Sequence, residues 1–146
     1  CLNRKLEALI LALLWDRVCD EATACDAAAG VLKAMIPDEN YFDHHHSMSH
    51  ISFRKAELAA KAGQTEEALE LLKDALYHAD EYDRIASVSR GVYTYTAPLF
   101  KGMTIDSTQW CYTGTSTLAD DIKAMCKREV FNGLRDYPAF RELFGE

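Results

Sequence analysis

Along the chain, apolar residues recur at helical spacing in several stretches and lose that spacing in one. Over residues 2–19, Leu6, Leu9, Ile10, Leu13, Leu14 and Val18 keep the three-and-four rhythm of an amphipathic helix, while Leu11 and Trp15 widen its apolar face. A helix apolar over so much of its circumference is buried on two sides or forms a subunit contact. The pattern slips around residues 20–23, where Thr23 and Asp26 resemble a capping box with a short acid. A second helix then runs to Met35 and stops before Pro37; a single long bent helix is the alternative to that break. Asp43 is placed to cap a third helix that ends at Gly63. Thr65-Glu66-Glu67 opens a fourth, with a capping oxygen and two acids at the positive end of the helix dipole. Ala68, Leu69, Leu71, Leu72, Ala75, Leu76 and Ala79 give that helix its apolar side. The turn between the third and fourth helices is so short that they must form an antiparallel hairpin.

From 83 to 115 the helical period fails. Gly91, Gly102, Gly114 and Pro98, with the β-branched and aromatic stretch Val92-Tyr93-Thr94-Tyr95-Thr96, predict extended chain or a long ordered loop. Its aromatic content argues that it packs, because disordered segments are poor in Tyr, Phe and Trp. Thr117, with Asp120 and Asp121 just inside, caps a fifth helix through Leu118, Ile122, Met125 and Cys126. Asn132-Gly133 marks a turn, and a short last helix starts at Pro138 and docks through Phe140, Leu143 and Phe144.

The chain has 146 residues, long enough for one domain with a sizeable core that needs no metal or disulfide. Its 23 acidic and 16 basic side chains leave a net charge of −7, which does not attract nucleic acid or an anionic membrane. The longest apolar run, residues 8–15, is too short to cross a bilayer, so no membrane partner is expected. The five cysteines are odd in number and widely spread, without a C-x-x-C pair. They read as small buried hydrophobes in a reducing, cytoplasmic compartment. The chain begins at Cys1 without Met or a signal pattern, and we read it as a fragment of a longer protein.

Residues 49–83 resemble a tetratricopeptide repeat (TPR), with Ala56, Gly63, Ala68, Leu72 and Ala75 on its small and apolar positions. Ser52, Lys55, Ala59 and Asp80 depart from the motif, and residues 2–37 match it poorly. A larger likeness runs through Ile36-Pro37-Asp38-Glu39-Asn40-Tyr41, Leu58-Ala59-Ala60-Lys61-Ala62-Gly63, Glu67-Ala68-Leu69-Glu70-Leu71-Leu72, Tyr77-His78-Ala79-Asp80-Glu81-Tyr82-Asp83, Tyr95-Thr96-Ala97-Pro98-Leu99-Phe100-Lys101-Gly102 and Leu134-Arg135-Asp136-Tyr137-Pro138-Ala139-Phe140. This order resembles the C-terminal half of bacterial helix-turn-helix regulators of the XRE class, chiefly from Firmicutes. The resemblance implies an all-α fold of TPR-like antiparallel hairpins (an α-α superhelix). On this reading residues 1–146 form one domain: hairpins at 2–36 and 43–80, an irregular aromatic loop at 83–115, and C-terminal helices at 117–145. It also implies a DNA-binding domain that precedes these residues, so DNA is a partner only through that missing segment.

Four of the five histidines lie in Asp43-His44-His45-His46-Ser47-Met48-Ser49-His50. His46 and His50 share a helix face and could ligate a metal with Asp43 or Glu57. However, H-E-x-x-H is absent and three adjacent histidines cannot all point at one ion, so no metal is expected. In a TPR hairpin the first helix lines the concave surface, and here that face carries His46, His50, Phe53, Glu57 and Lys61. We expect His50, Phe53 and Glu57 to border a ligand or peptide groove covered by residues 93–100, including Tyr93 and Tyr95. The plain alternative is a solvated face with Phe53 buried against that loop. Trp110-Cys111-Tyr112 is a further aromatic surface, either for recognition or as a lid that completes the core. Tyr82-Asp83 and Arg135-Asp136 are placed for structural polar contacts near helix ends. No phosphate loop, Gly-x-Ser-x-Gly or catalytic triad spacing occurs, so neither catalytic residues nor a cofactor are expected. The expected function is a non-enzymatic regulatory domain that binds a peptide, small molecule or protein and acts as a homodimer through the helix at 2–19. A free-standing TPR adaptor is the alternative.

Overall fold

The computed structural model describes residue 12 and residues 21–110 and 116–145; nearly all of the helix expected over 2–19, the dimer face assigned to it and Cys111-Tyr112 lie outside them. Among the described residues the chain is mostly helical, and helices pack on helices. Helix α1 spans Ala22–Met35, α2 His45–Lys61, α3 Thr65–Asp83, α4 Leu118–Met125 and α5 Pro138–Glu142. Short 3-10 turns at Phe42–His44 and Glu129–Leu134 link them.

The α2–α3 hairpin closes as its residue types dictate. Gly63 takes φ +75°, and its N–H and that of Gln64 return to the carbonyls of Ala60 and Ala59. This is the paired bonding of a left-handed helix stop, where a side chain would strain the backbone. Small residues then bring the two helices close: Ala56, Ala59, Ala68, Ala75 and Ala79 are all buried. The Ser49 hydroxyl donates to the Ala75 carbonyl at 2.8 Å across the same seam.

Several expected caps are replaced. Helix α1 starts at Ala22, after extended Glu21, so Thr23 and Asp26 lie inside it and form no capping box. Asp43 sits in the 3-10 turn and does not cap α2; its carboxylate instead accepts from the Tyr95 hydroxyl. Thr65 is already helical, and Gln64 at the cap position makes no side-chain bond to the helix. The box at Thr117 and Asp120 forms as the residues suggest, each side chain accepting from the other's backbone N–H. A long-range cap adds to it. The two oxygens of Asp83, at the end of α3, accept from the backbone N–H groups of Leu118 and Ala119 at 2.9 Å each.

The segment after α3 is less irregular than expected, which corrects the all-α reading to a mainly helical one. Arg84–Val88 continues as a wider π turn. Strands β1 (Val92–Thr94) and β2 (Thr104–Asp106) pair antiparallel, with Tyr93 opposite Ile105. β-branched residues at alternate positions favour this extended pair over a helix. Asn132-Gly133 falls within the 3-10 segment Glu129–Leu134.

Among the described residues, two apolar clusters hold the fold. One joins Phe53, Leu69, Leu72 and Leu76 of the hairpin to Ile122, Cys126, Phe131, Leu134 and Phe140. The other joins Cys25, Leu32 and Ile36 of α1 to Tyr41, Met48, Ile51, Tyr95 and Phe100. Helix α2 serves both, with Met48, Ile51 and Leu58 toward the second cluster and Phe53, Ala56 and Ala59 toward the first.

Candidate functional site

Four of the five histidines meet tyrosine rings around the start of α2 and the second half of α3, and His50 packs on His46. His44, His45 and His78 are buried, His50 is half-buried, and His46 is exposed on one side. Their positions follow from the chain. The 3-10 turn brings His44 inward against Tyr95 and Phe100, and the first turn of α2 aims His45 across the hairpin at α3. His78 sits three residues after Ala75, so the buried face of α3 carries a ring with polar nitrogens.

His45 Nδ1 and His78 Nδ1 lie 2.7 Å apart. At that distance one nitrogen must donate and the other accept, so both rings cannot be protonated in this arrangement. Asp74 gives the pair its direction. Its carboxylate lies 3.7 Å from His78 Nε2 and favours the proton there, leaving His78 Nδ1 to accept from His45. Ser52 of α2 donates to the other oxygen of Asp74 and holds that carboxylate in place. Burial and the adjacent His78 push the His45 ring down to about 4, well below the usual imidazole range. Burial also lowers His78, although Asp74 opposes it. His50 is lowered by burial and by His46, and His46 by its partial burial. These rings are neutral at neutral pH.

Beside the pair opens a cleft of about 170 Å³, lined by Lys33, Glu39, Tyr41, Met48, Asp74, Tyr77 and His78. Tyr41, Met48 and His78 are buried in its floor, while Lys33, Glu39, Asp74 and Tyr77 are exposed at its edge. The rim therefore offers charges of both signs above aromatic and imidazole surface. The backbone on one side is strained: Glu39 and Phe42 adopt φ of 60° and 47°. For a bulky residue such as Phe42 the left-handed region costs on the order of 1–3 kcal/mol, and such strain clusters at binding sites and switches. Packing of Phe42 against Tyr93 and Tyr95 holds it there.

The six residues expected to form a groove separate into three environments. The His46 and His50 rings pack tilted with centroids 4.6 Å apart, with Tyr82 edge-on to His46 and Trp110 stacked on Tyr82. Phe53 and Glu57 are both only 3% exposed, too buried to border an open groove. Phe53 packs on Phe131, not on the loop over 93–100. Glu57 accepts from Arg54, and from Arg128 at 2.7 Å. Tyr95 is buried, and its hydroxyl is 2.7 Å from His44 Nδ1. Tyr93 is half-buried and donates to the Ser89 carbonyl. Among the described residues, no three or more His, Cys, Asp or Glu converge so as to hold a metal ion. The sequence does not mark His78, Asp74, Lys33 and Glu39 as site residues, and marks His45 only as one of the histidine run. The available signal was His78 itself, a polar ring in register with the apolar face of its helix. No protein-family model, curated protein or solved structure matches this chain.

Proposed function

We propose that this chain is a non-enzymatic sensory domain of a transcriptional regulator, built on TPR-like hairpins, with DNA contacted by a separate N-terminal domain. It works in the cytoplasm as a homodimer. The observation that carries the reading is the mixed-charge cleft whose floor is one partner of the buried histidine pair. A zwitterionic effector, such as the end of a peptide or an amino-acid-like molecule, would place its anion by Lys33 and its cation by Glu39 and Asp74. A group that bonds His78 competes with His45 for the same ring. It thereby biases the packing of α2 on α3, which is how a small ligand shifts a population between two arrangements.

The order of the polar chain supports a role without catalysis. Ser52 donates to Asp74 and Asp74 faces His78, so the hydroxyl meets the carboxylate and not the imidazole base that would activate it. The test is a titration with glycylglycine while the histidine ring nitrogens are followed by NMR. The His45 and His78 signals should move together and saturate, and Lys33→Ala should weaken the effect. Ring signals that stay fixed at millimolar dipeptide would sink the sensory reading of this cleft. A helix-turn-helix segment fused to these residues in the full reading frame is expected; further helical repeats in its place would favour an adaptor.

A further inference from the structure

A second cavity, sharing no residue with the His78 cleft, lies where the C-terminal helix folds back on the end of α4. It encloses about 230 Å³ and is lined by Cys126, Lys127, Arg135, Phe140, Arg141 and Phe144. Its floor is apolar: Cys126 and Phe140 are buried and Phe144 is half-buried, with the two phenyl rings 5.0 Å apart. Burial pushes the Cys126 thiol up to about 12, so that sulfur is an inert part of the wall. Among the described residues, the charged lining is entirely basic: Lys127, Arg135 and Arg141. In a chain of net charge −7, three cations around one apolar floor stand out as a local reversal of sign.

Two of the three cations are tied to backbone carbonyls. Arg135 donates to the Lys127 carbonyl at 2.7 Å, and Arg141 Nε donates to the Arg135 carbonyl at 3.2 Å. Each guanidinium carries five N–H groups, so these bonds fix the forks while leaving donors to meet a planar acceptor. The neighbouring acid Asp136 is 3.7 Å from Arg141, with both side chains largely exposed. A pair so exposed is worth little and yields to a better partner.

We propose that this cavity binds a small carboxylate with an apolar tail, the carboxylate on Arg135 and Arg141 and the tail against Phe140 and Phe144. A fork of guanidinium donors matches a carboxylate geometrically, and the phenyl floor rejects a fully hydrated anion. Hexanoate, with eight non-hydrogen atoms, is a probe small enough to enter a pocket of about 230 Å³.

The test uses the full chain and three probes: hexanoate, neutral hexanamide and tailless acetate. The Phe140 and Phe144 ring resonances are followed by NMR during each titration. Hexanoate should shift both in a saturable way, with Kd in the millimolar range expected of so few atoms. Hexanamide and acetate should each bind at least about tenfold more weakly, since each lacks one of the two halves. Arg135→Gln should raise the hexanoate Kd about tenfold, and because Phe140 and Phe144 report the fold directly, an unfolded variant is recognised at once. The probe comparison needs no variant at all. Equal binding of hexanoate and hexanamide, equal binding of hexanoate and acetate, or rings that do not respond would each overturn the assignment. None of these results touches the His78 cleft.

Discussion

Acid should weaken the fold through His45 in a window that the buried pair defines. Unfolded, the ring has the ordinary value of 6.5; folded, it is pushed down to about 4 by burial and by His78, with Arg84 and His44 acting in the same direction and Glu81 against. The unfolded state therefore binds more protons than the native state between these two values. The stabilisation is complete above the unfolded pKa, falls as pH drops through the window and is fully lost below the folded pKa. The total is about 3 kcal/mol, of which about 2 kcal/mol has gone at about pH 5. That is a large share of the ~5–15 kcal/mol that typically holds a domain of this size together. The assay is urea unfolding at about pH 8 and about pH 5, on the wild type and on His45→Gln, whose amide still donates to His78 without titrating. The variant should lose about 2 kcal/mol less than the wild type over that interval. Equal losses in the two proteins, or a His45 ring that titrates near 6.5 by NMR in the native state, would refute the reasoning.

Two predictions concern the polar ties between distant segments. Asp83→Ala removes both acceptors that receive the Leu118 and Ala119 N–H groups; unfolding should cost about 1–2 kcal/mol less, with amide exchange of the first turn of α4 speeding up. Glu57→Ala breaks the carboxylate that binds Arg54 and Arg128, and the Arg128 guanidinium also lies 5.8 Å from the Phe53 ring centre. Because both arginines keep access to water, the loss should be about 1–3 kcal/mol in denaturant unfolding, below that of a fully enclosed pair.

The sequence by itself carried the features that one helix turn can encode. Gly63 marked the end of α2, Ala68, Leu72 and Ala75 the buried face of α3, Pro37 the limit of α1, and Thr117 with Asp120 the start of α4. Each rests on backbone sterics or on a period of three to four residues, and needs no knowledge of what lies across the core. Tyr82-Asp83 was also legible as a structural contact at a helix end, though not its target. Asp43 and Thr65 failed as caps because a suitable residue type near a helix start says nothing of competing partners. Tyr95 claimed Asp43, and α3 started one residue before Thr65 could serve.

The tertiary structure decided everything that joins remote residues. His45 meets His78 across 33 positions, Tyr95 meets His44 across 51, and Arg128 meets Glu57 across 71. The groove expected along one face of α2 assumed that helical spacing settles exposure. Instead the 3-10 segment at Glu129–Leu134, with Arg128 just before it, covers the end of that face and buries Phe53 and Glu57, while the first turn of α2 turns His45 toward α3. Periodicity places side chains on a common face; only the packing of another segment against that face decides which of them meets solvent, a partner or a cleft.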